Sequence, residues 1–541
     1  MTRTIWQPVH GEGHPKRWAM LGVLVVSLLV VVLDNTVLNI ALPTIQRDLD
    51  ASQSELVWAV DSYILSFAAL LFTWGVLGDR YGRRRVLVIG LTVFAVSSAI
   101  CAFSVNAQML IAFRAVMGVG GAAVLPITLA IITVVFPPHE RGKAIGTWAG
   151  AVGAAVALGP VLGGLLLEHP EWSNWLTGND WGSVFLINVP IIIVGLIGIA
   201  RVVPETLNPH PQRLDIMGLV VSASGLTLLI FGIIHASETK DWFAWSVMLP
   251  VLLGSAIIAV FLILEARSDH KSFDVSLFRN RGWAVSLTAV SLSFFAMSGI
   301  TFTLPFYLQV LRGYDTLQAG LCFLPFAVGQ LLAAPRSDKM AARFGYRKVI
   351  TTGLVLVTLS LFGLANLQLD TPLWVILTMF FIFGFGMGNV IAPASAVMQN
   401  ALPLARAGAG SAVQNTVRQV FGALGVAVIG TILATSYASN VSSALAPLPD
   451  AARDRAEDSV VETVGVLAQA ANMGVPTDVL AQIRDGAFSA FLDASQLTAA
   501  IAAAVVLIAA IVVVVALPHM RPPESQRPVV DEGVSPAPAE G

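Results

Sequence analysis

Asp34, Asp61 and Arg114 are the side chains in this chain best placed to do chemistry, because each interrupts a long apolar run. Asp34 follows about sixteen residues of the run that begins near Trp18, roughly 24 Å along a helix. Asp61 stands about five residues into the second run and Arg114 about six into the fourth, so helices of alternating direction bring all three to similar depth. An unpaired charge there costs several kcal/mol, so the three are expected to face one another, a cavity or water. A carboxyl group beside a fixed guanidinium can take up and release a proton, or exchange it for a cationic ligand. The other reading is a purely structural Asp–Arg pair.

Later runs carry a second polar set. The tenth reads Leu324-Pro325-Phe326-Ala327-Val328-Gly329-Gln330, and the thirteenth reads Gln414-Asn415-Thr416-Val417-Arg418-Gln419. With Asn39 and Tyr63 of the first two runs, Gln330, Gln414, Asn415 and Arg418 are the candidate lining of a central cavity. Buried amides equally serve as hydrogen bonds between helices. Arg418 would repel a dication in that cavity, and amides carry no charge to offset it.

The elements that must hold these residues are membrane helices. Of 541 residues, 56% are hydrophobic and only 12% charged, and mean hydropathy is +0.78. A soluble chain of that size carries far more charge. Runs of about 20 residues suit a hydrocarbon core of roughly 30 Å. Fourteen are read, near 18–42, 56–77, 86–104, 108–135, 144–167, 182–202, 215–235, 244–264, 283–309, 317–336, 349–367, 373–398, 408–436 and 496–518. The chain is therefore expected to be an all-α polytopic membrane protein in a lipid bilayer. Its histidines and two cysteines show no ligand spacing, so no metal or cofactor is expected, and nothing points to nucleic acid. The polar start of the chain leads into a run too long for a signal-peptide core, so no cleaved leader is expected.

Charge gives the orientation. With both termini cytoplasmic, the extracytoplasmic segments hold only Arg47, Lys240, Arg312, Arg453, Arg455 and Arg484 of the 31 Lys and Arg. Between the second and third runs, GVLGDRYGRRRVL (75–87) forms a tight hairpin, with Gly75, Gly78 and Gly82 around Asp79, Arg80, Arg83 and Arg84. Arginines alone would make this a polybasic topogenic loop. Arg343-Phe344-Gly345-Tyr346-Arg347-Lys348-Val349 echoes it after the tenth run, with Ala342 in place of Asp79. That repeat divides the chain. Residues 1–17 are a cytoplasmic N-terminus, 18–203 an N-terminal six-helix bundle and 204–281 two inserted transmembrane helices with linkers. Residues 282–518 are a C-terminal six-helix bundle with an extracytoplasmic loop 437–495, and 519–541 a disordered cytoplasmic tail. In the loop, Ala-rich stretches near 456–472 and 477–493 are expected as amphipathic helices whose acids form a solvated face.

The hairpin resembles the major facilitator superfamily signature, G-x-L-x-D-R-x-G-R-R/K-x-x-L. Other motifs resemble the fourteen-span drug:H+ antiporter-2 family (QacA/EmrB type). They are the first-span Leu33-Asp34-Asn35-Thr36 to Asn39-Ile40-Ala41-Leu42-Pro43, the fourth-span Arg114 with Gly118, Gly120, Gly121 and Ala122, and the fifth-span Gly150, Gly153, Gly159, Pro160, Gly163 and Gly164. The resemblance covers nearly the whole chain and implies a major facilitator fold, two six-helix bundles plus two inserted helices.

In that family the fourth-span arginine is associated with proton coupling, and the fifth-span pattern separates exporters from importers. The resemblance thus implies a proton-coupled exporter of small amphipathic compounds in a bacterial-type plasma membrane, acting as a monomer by alternating access. Asp34, with Asp61 as second candidate, would bind proton or substrate, and Arg114 would tune them. The chain lacks the further acids that dication exporters place in the tenth and thirteenth spans. The alternative is export of a lipid or endogenous metabolite, including self-resistance. An uptake facilitator and a membrane enzyme or sensor are less supported, since no nucleophile, metal or phosphate motif is present.

Overall fold

The computed structural model describes residues 13–207, 216–239, 241–267, 275–400, 407–473 and 475–518. Most of the N-terminal segment and the tail from 519 lie outside the described residues, as does the disorder expected of that tail. Helices form all the long elements described. Thirteen are long and apolar enough to cross a membrane, from Arg17–Leu49 to Thr477–Ala516. The difference from the expected fourteen falls on the fifth run. Pro138–Glu168 is a helix of 31 residues, but its described apolar part is only Leu158–Glu168. Spans are numbered below as in the sequence.

Local chemistry sets the helix ends. Ser52 caps Gln53–Tyr81 and Glu55 returns the bond, a reciprocal capping box. Asn106, Asn280 and Asp315 each accept from the backbone N–H three residues on, starting the fourth, ninth and tenth spans. Both basic hairpins turn on a glycine with positive φ, 108° at Gly82 and 87° at Gly345, each ending one helix and starting the next. Only glycine enters that region without strain. The sequence echo is therefore also an echo of backbone conformation.

The helices sort into two packed groups. Spans 1 to 6 contact one another, and spans 9 to 14 do the same, while spans 7 and 8 pair with each other and span 7 leans on spans 2 and 13. Gly90 and Gly120 bring spans 3 and 4 into backbone contact. In the second group, Gly353 and Gly386 do so for spans 11 and 12. The groups meet through span 5 against span 10 and span 2 against span 13.

At the end of the bundle opposite the basic hairpins, the segment after span 13 folds into helices Asp450–Ala456 and Val460–Asn472. The second expected amphipathic helix is not separate. Thr477–Ala516 is one helix of 40 residues running into the last span. Two acids of the segment 437–495 correct the expected solvated face. Asp458 accepts from the backbone of Gln53 at 3.0 Å, and Glu462 is buried against Arg455 at 2.8 Å. Packing in this segment buries Glu462 and covers part of Asp458.

Candidate functional site

Asp34 and Arg114 form an ion pair with both side chains wholly buried. Arg114 also donates from Nε to the carbonyl of Ala59 at 3.1 Å, and its guanidinium lies over the ring of Tyr63, 4.3 Å from the centroid. Span 2 therefore supplies the floor on which the arginine rests. Gly118 allows that approach, since a β-carbon there would run into the Tyr63 carbonyl.

The other carboxylate oxygen of Asp34 accepts from Asn188 Nδ2 at 2.9 Å. Asn188 reaches Ser98 Oγ at 3.0 Å, and Ser98 donates to the Phe185 carbonyl at 2.9 Å. Spans 1, 3, 4 and 6 thus converge on one carboxylate. Neither Asn188 nor Ser98 was singled out as a site residue by the sequence. The signal was an asparagine opening an apolar span, beside a proline that marks the helix start.

Asp61 stands apart from this pair. It is fully buried, yet neither carboxylate oxygen has a hydrogen-bond partner. The structure brings together Asp34 and Arg114 and leaves Asp61 out. On a helix, Asp61 cannot share the face of Ala59 and Tyr63, which serve Arg114.

At the hairpin, Arg83 donates from Nε and Nη2 to Asp79 Oδ1, at 2.9 and 2.8 Å. Asp79 is not the sole acid there. Glu205, following span 6, accepts from the backbone N–H of Arg84 at 3.0 Å, at the positive end of the span 3 helix. A β-carbon at Gly82 would stand 2.6 Å from Glu205 Oε1. Arg84 donates to the Ala200 carbonyl at 2.9 Å, Gly78 packs beside Ile127, and Gly75 lies near Pro126. Arg80 is exposed and lies over the Tyr81 ring.

The fifth-span motif lies between the groups. A β-carbon at Gly159 would collide with Thr36 of span 1, and one at Gly163 would crowd Val37. Gly164 faces the Thr316 carbonyl of the other group, 2.5 Å from an added β-carbon, and Pro160 presents its carbonyl to Gly320. Gly150 and Gly153 are on the same helix, at positions whose surroundings lie outside the described residues.

Among the cavity candidates, Tyr63 is buried, with its hydroxyl 3.4 Å from the Val31 carbonyl. Gln414 donates to Ser395 at 2.9 Å, so it bridges helices. Asn39, Gln330, Asn415 and Arg418 are part-exposed.

A profile of the Major Facilitator Superfamily matches residues 24–426. The multidrug efflux pump LfrA of Mycolicibacterium smegmatis is 35% identical over 489 residues, 90% of this chain and 94% of that protein. The tetracenomycin C resistance and export protein of Streptomyces glaucescens is 32% identical over 428 residues, 78% and 77% of the two chains. A crystal structure of a bacterial homologue of the human lysosomal transporter Spinster, inward-facing and unoccupied, superposes with a TM-score of 0.63. It shares 16% identity and covers 92% of this chain and 98% of its own. These proteins are transporters, not enzymes. A multi-pass helical chain with this match over most of its length belongs to the Major Facilitator Superfamily.

Proposed function

We propose that this transporter is a proton-coupled exporter of small amphipathic compounds, working by alternating access as a monomer in a bacterial plasma membrane. Both termini and the basic hairpins then face the cytoplasm, in keeping with the positive-inside rule. The reading extends to the fourteen-span drug:H+ antiporter-2 family.

The observation that carries it is the sealed Asp34–Arg114 pair tied to four spans. Removing one charge from such a pair changes its energy by about 3–5 kcal/mol. Protonating Asp34 would remove one, and four spans would feel the change together. Asp61 offers a second acceptor, since a lone ionised carboxylate at that depth is costly and a proton or cationic group relieves it.

Everted membrane vesicles carrying the protein, energised to an acidic interior, test the reading. Accumulation of an amphiphilic probe, 8-anilinonaphthalene-1-sulfonate or ethidium, that stops when nigericin collapses the pH gradient is expected. Accumulation indifferent to the gradient would reject proton coupling. A second reading, export of an endogenous metabolite, is favoured by the tetracenomycin C exporter among the relatives. Retention of a host-made compound by a deletion strain would support it.

A further inference from the structure

Arg418 is a cation inside span 13 for which the described residues supply no counter-charge. Its guanidinium Nε is buried with no hydrogen-bond partner. Among the described residues Arg418 makes no hydrogen bond and no ion pair, and its recorded contact is the ring of Phe294, 4.8 Å from the centroid. The helix-bridging role open to a buried arginine, donation to a neighbouring carbonyl, is not taken up. Arg114 shows the contrast, with a carboxylate, a carbonyl and a ring all engaged.

Among the described side chains, the neighbouring spans of the second group supply no acid; Asp338, within the helix Leu324–Phe344, has a side chain outside those described. The apolar helices Arg281–Leu311, Thr316–Ser337, Tyr346–Leu364, Leu373–Met398 and Val413–Val441 contain no Asp or Glu. In the last helix, Asp478, Asp485 and Asp493 all fall in its first half, ahead of its apolar stretch. From the first group, Asp34 is committed to Arg114, and Asp61 is within hydrogen-bond reach of nothing.

The surroundings fix the guanidinium without satisfying it. One turn beyond it, Gly422 packs beside Ser298, and the next contact on that face sets Gly425 against the Phe295 backbone. A guanidinium lying on a ring has its face covered, and its remaining N–H groups can donate paired bonds to two oxygens of an anionic group. The stretch from Gln414 to Val420, Arg418 included, is part-exposed.

We propose that Arg418 is an anion-binding subsite, receiving the carboxylate, sulfonate or phenolate group of an amphiphilic substrate whose apolar body lies against Phe294. This rests on the export reading and names the substrate class for it: anionic amphiphiles, with dications excluded.

The test is equilibrium dialysis of purified full-length protein in zwitterionic-lipid nanodiscs, against empty discs, without a pH gradient. The probes are 8-anilinonaphthalene-1-sulfonate, the neutral N-phenyl-1-naphthylamine and cationic ethidium. Arg418→Gln is expected to weaken sulfonate binding about tenfold, the worth of a charge-assisted bond, and to change the neutral probe less than about twofold. Arg418→Lys keeps the charge without the paired N–H edge, so it should recover only part of the sulfonate affinity. A parallel fall for all three probes, or an unchanged sulfonate affinity in Arg418→Gln, overturns the subsite. Should Arg418→Gln not fold, wild type decides. Tighter binding of the sulfonate than of the neutral amine supports the subsite, and the reverse order overturns it. A failure of proton coupling in vesicles leaves these equilibria untouched, so the two readings fail separately.

Discussion

Asn188 donates to Asp34 at 2.9 Å across 154 positions of sequence, so the sixth span holds the oxygen of Asp34 that Arg114 does not. Each oxygen of the carboxylate thus has its own donor from a different helix. Such a network is worth more intact than in parts, because a half-satisfied buried group carries its desolvation cost alone.

Stability and transport should therefore separate in this network. Arg114→Gln strands a buried carboxylate and should lower folded yield, at a cost of about 3–5 kcal/mol. The double variant Asp34→Asn with Arg114→Gln removes both charges and should recover much of that yield while gradient-driven efflux stays lost. Asp34→Asn alone should also abolish such efflux. Fluorescence-detected size exclusion reads the yield and vesicle assays the efflux. Efflux at wild-type rate in a well-folded Asp34→Asn protein would remove Asp34 from coupling.

Much of this was legible in the sequence, for a physical reason. Charges inside apolar runs are rare enough that Asp34 and Arg114 stood out singly, and opposite charges at one depth were expected to meet. Asp61 shared the depth but not the face, and depth is all that counting residues gives. Asn188 and Ser98 were missed because an amide or hydroxyl is common in membrane helices, and only the fold shows which one reaches a carboxylate. The hairpin glycines were readable from type alone, whereas Glu205 becomes their partner only when span 6 returns beside span 3.

Glu205 yields the next prediction. It accepts from the span 3 N-terminus and sits against Gly82, while Asp79 holds Arg83. Asp79→Ala and Glu205→Gln should each slow the exchange between conformations more than they weaken ligand binding. Gly82→Ala should be worse than either, adding strain at φ 108° to a collision with the carboxylate. Cysteine-accessibility kinetics against dialysis affinities will separate these effects. A loss confined to affinity would contradict the switch role.

Arg455 bridges Glu462 and Asp50, which lies in the turn between spans 1 and 2. Gln46 also donates to Ser459 at 2.9 Å. These bonds tie the far-end loop to the first helix group, and any opening at that end must break them. Glu462 also holds the Arg455 guanidinium above its ordinary value through a hydrogen bond and its charge. Arg455→Ala should raise the reactivity of a cysteine placed at Gln53 toward an impermeant maleimide, with folded yield little changed. Equal labelling in both backgrounds would show that the loop does not hold the far end closed.

The fifth span gives the sharpest steric test, because its glycines face different partners along one helix. Gly159 meets Thr36 within the first helix group, whereas Gly164 meets the Thr316 carbonyl, and Gly320 meets Pro160, across the two groups. A side chain at Gly159 must push spans 1 and 5 apart in every conformation, so Gly159→Val should lower stability by about 1–3 kcal/mol, as overpacking does. A side chain at Gly164 or Gly320 clashes only while the far ends are together. Gly164→Val and Gly320→Val should therefore fold, bind substrate and stay open at the far end. The measurement is maleimide labelling of a cysteine at Leu317 beside Gly164. Labelling should rise for the two inter-group variants and remain at its wild-type level for Gly159→Val. If all three variants simply lose folded protein, the fifth span is packing material throughout and its contact with span 10 is not a gate.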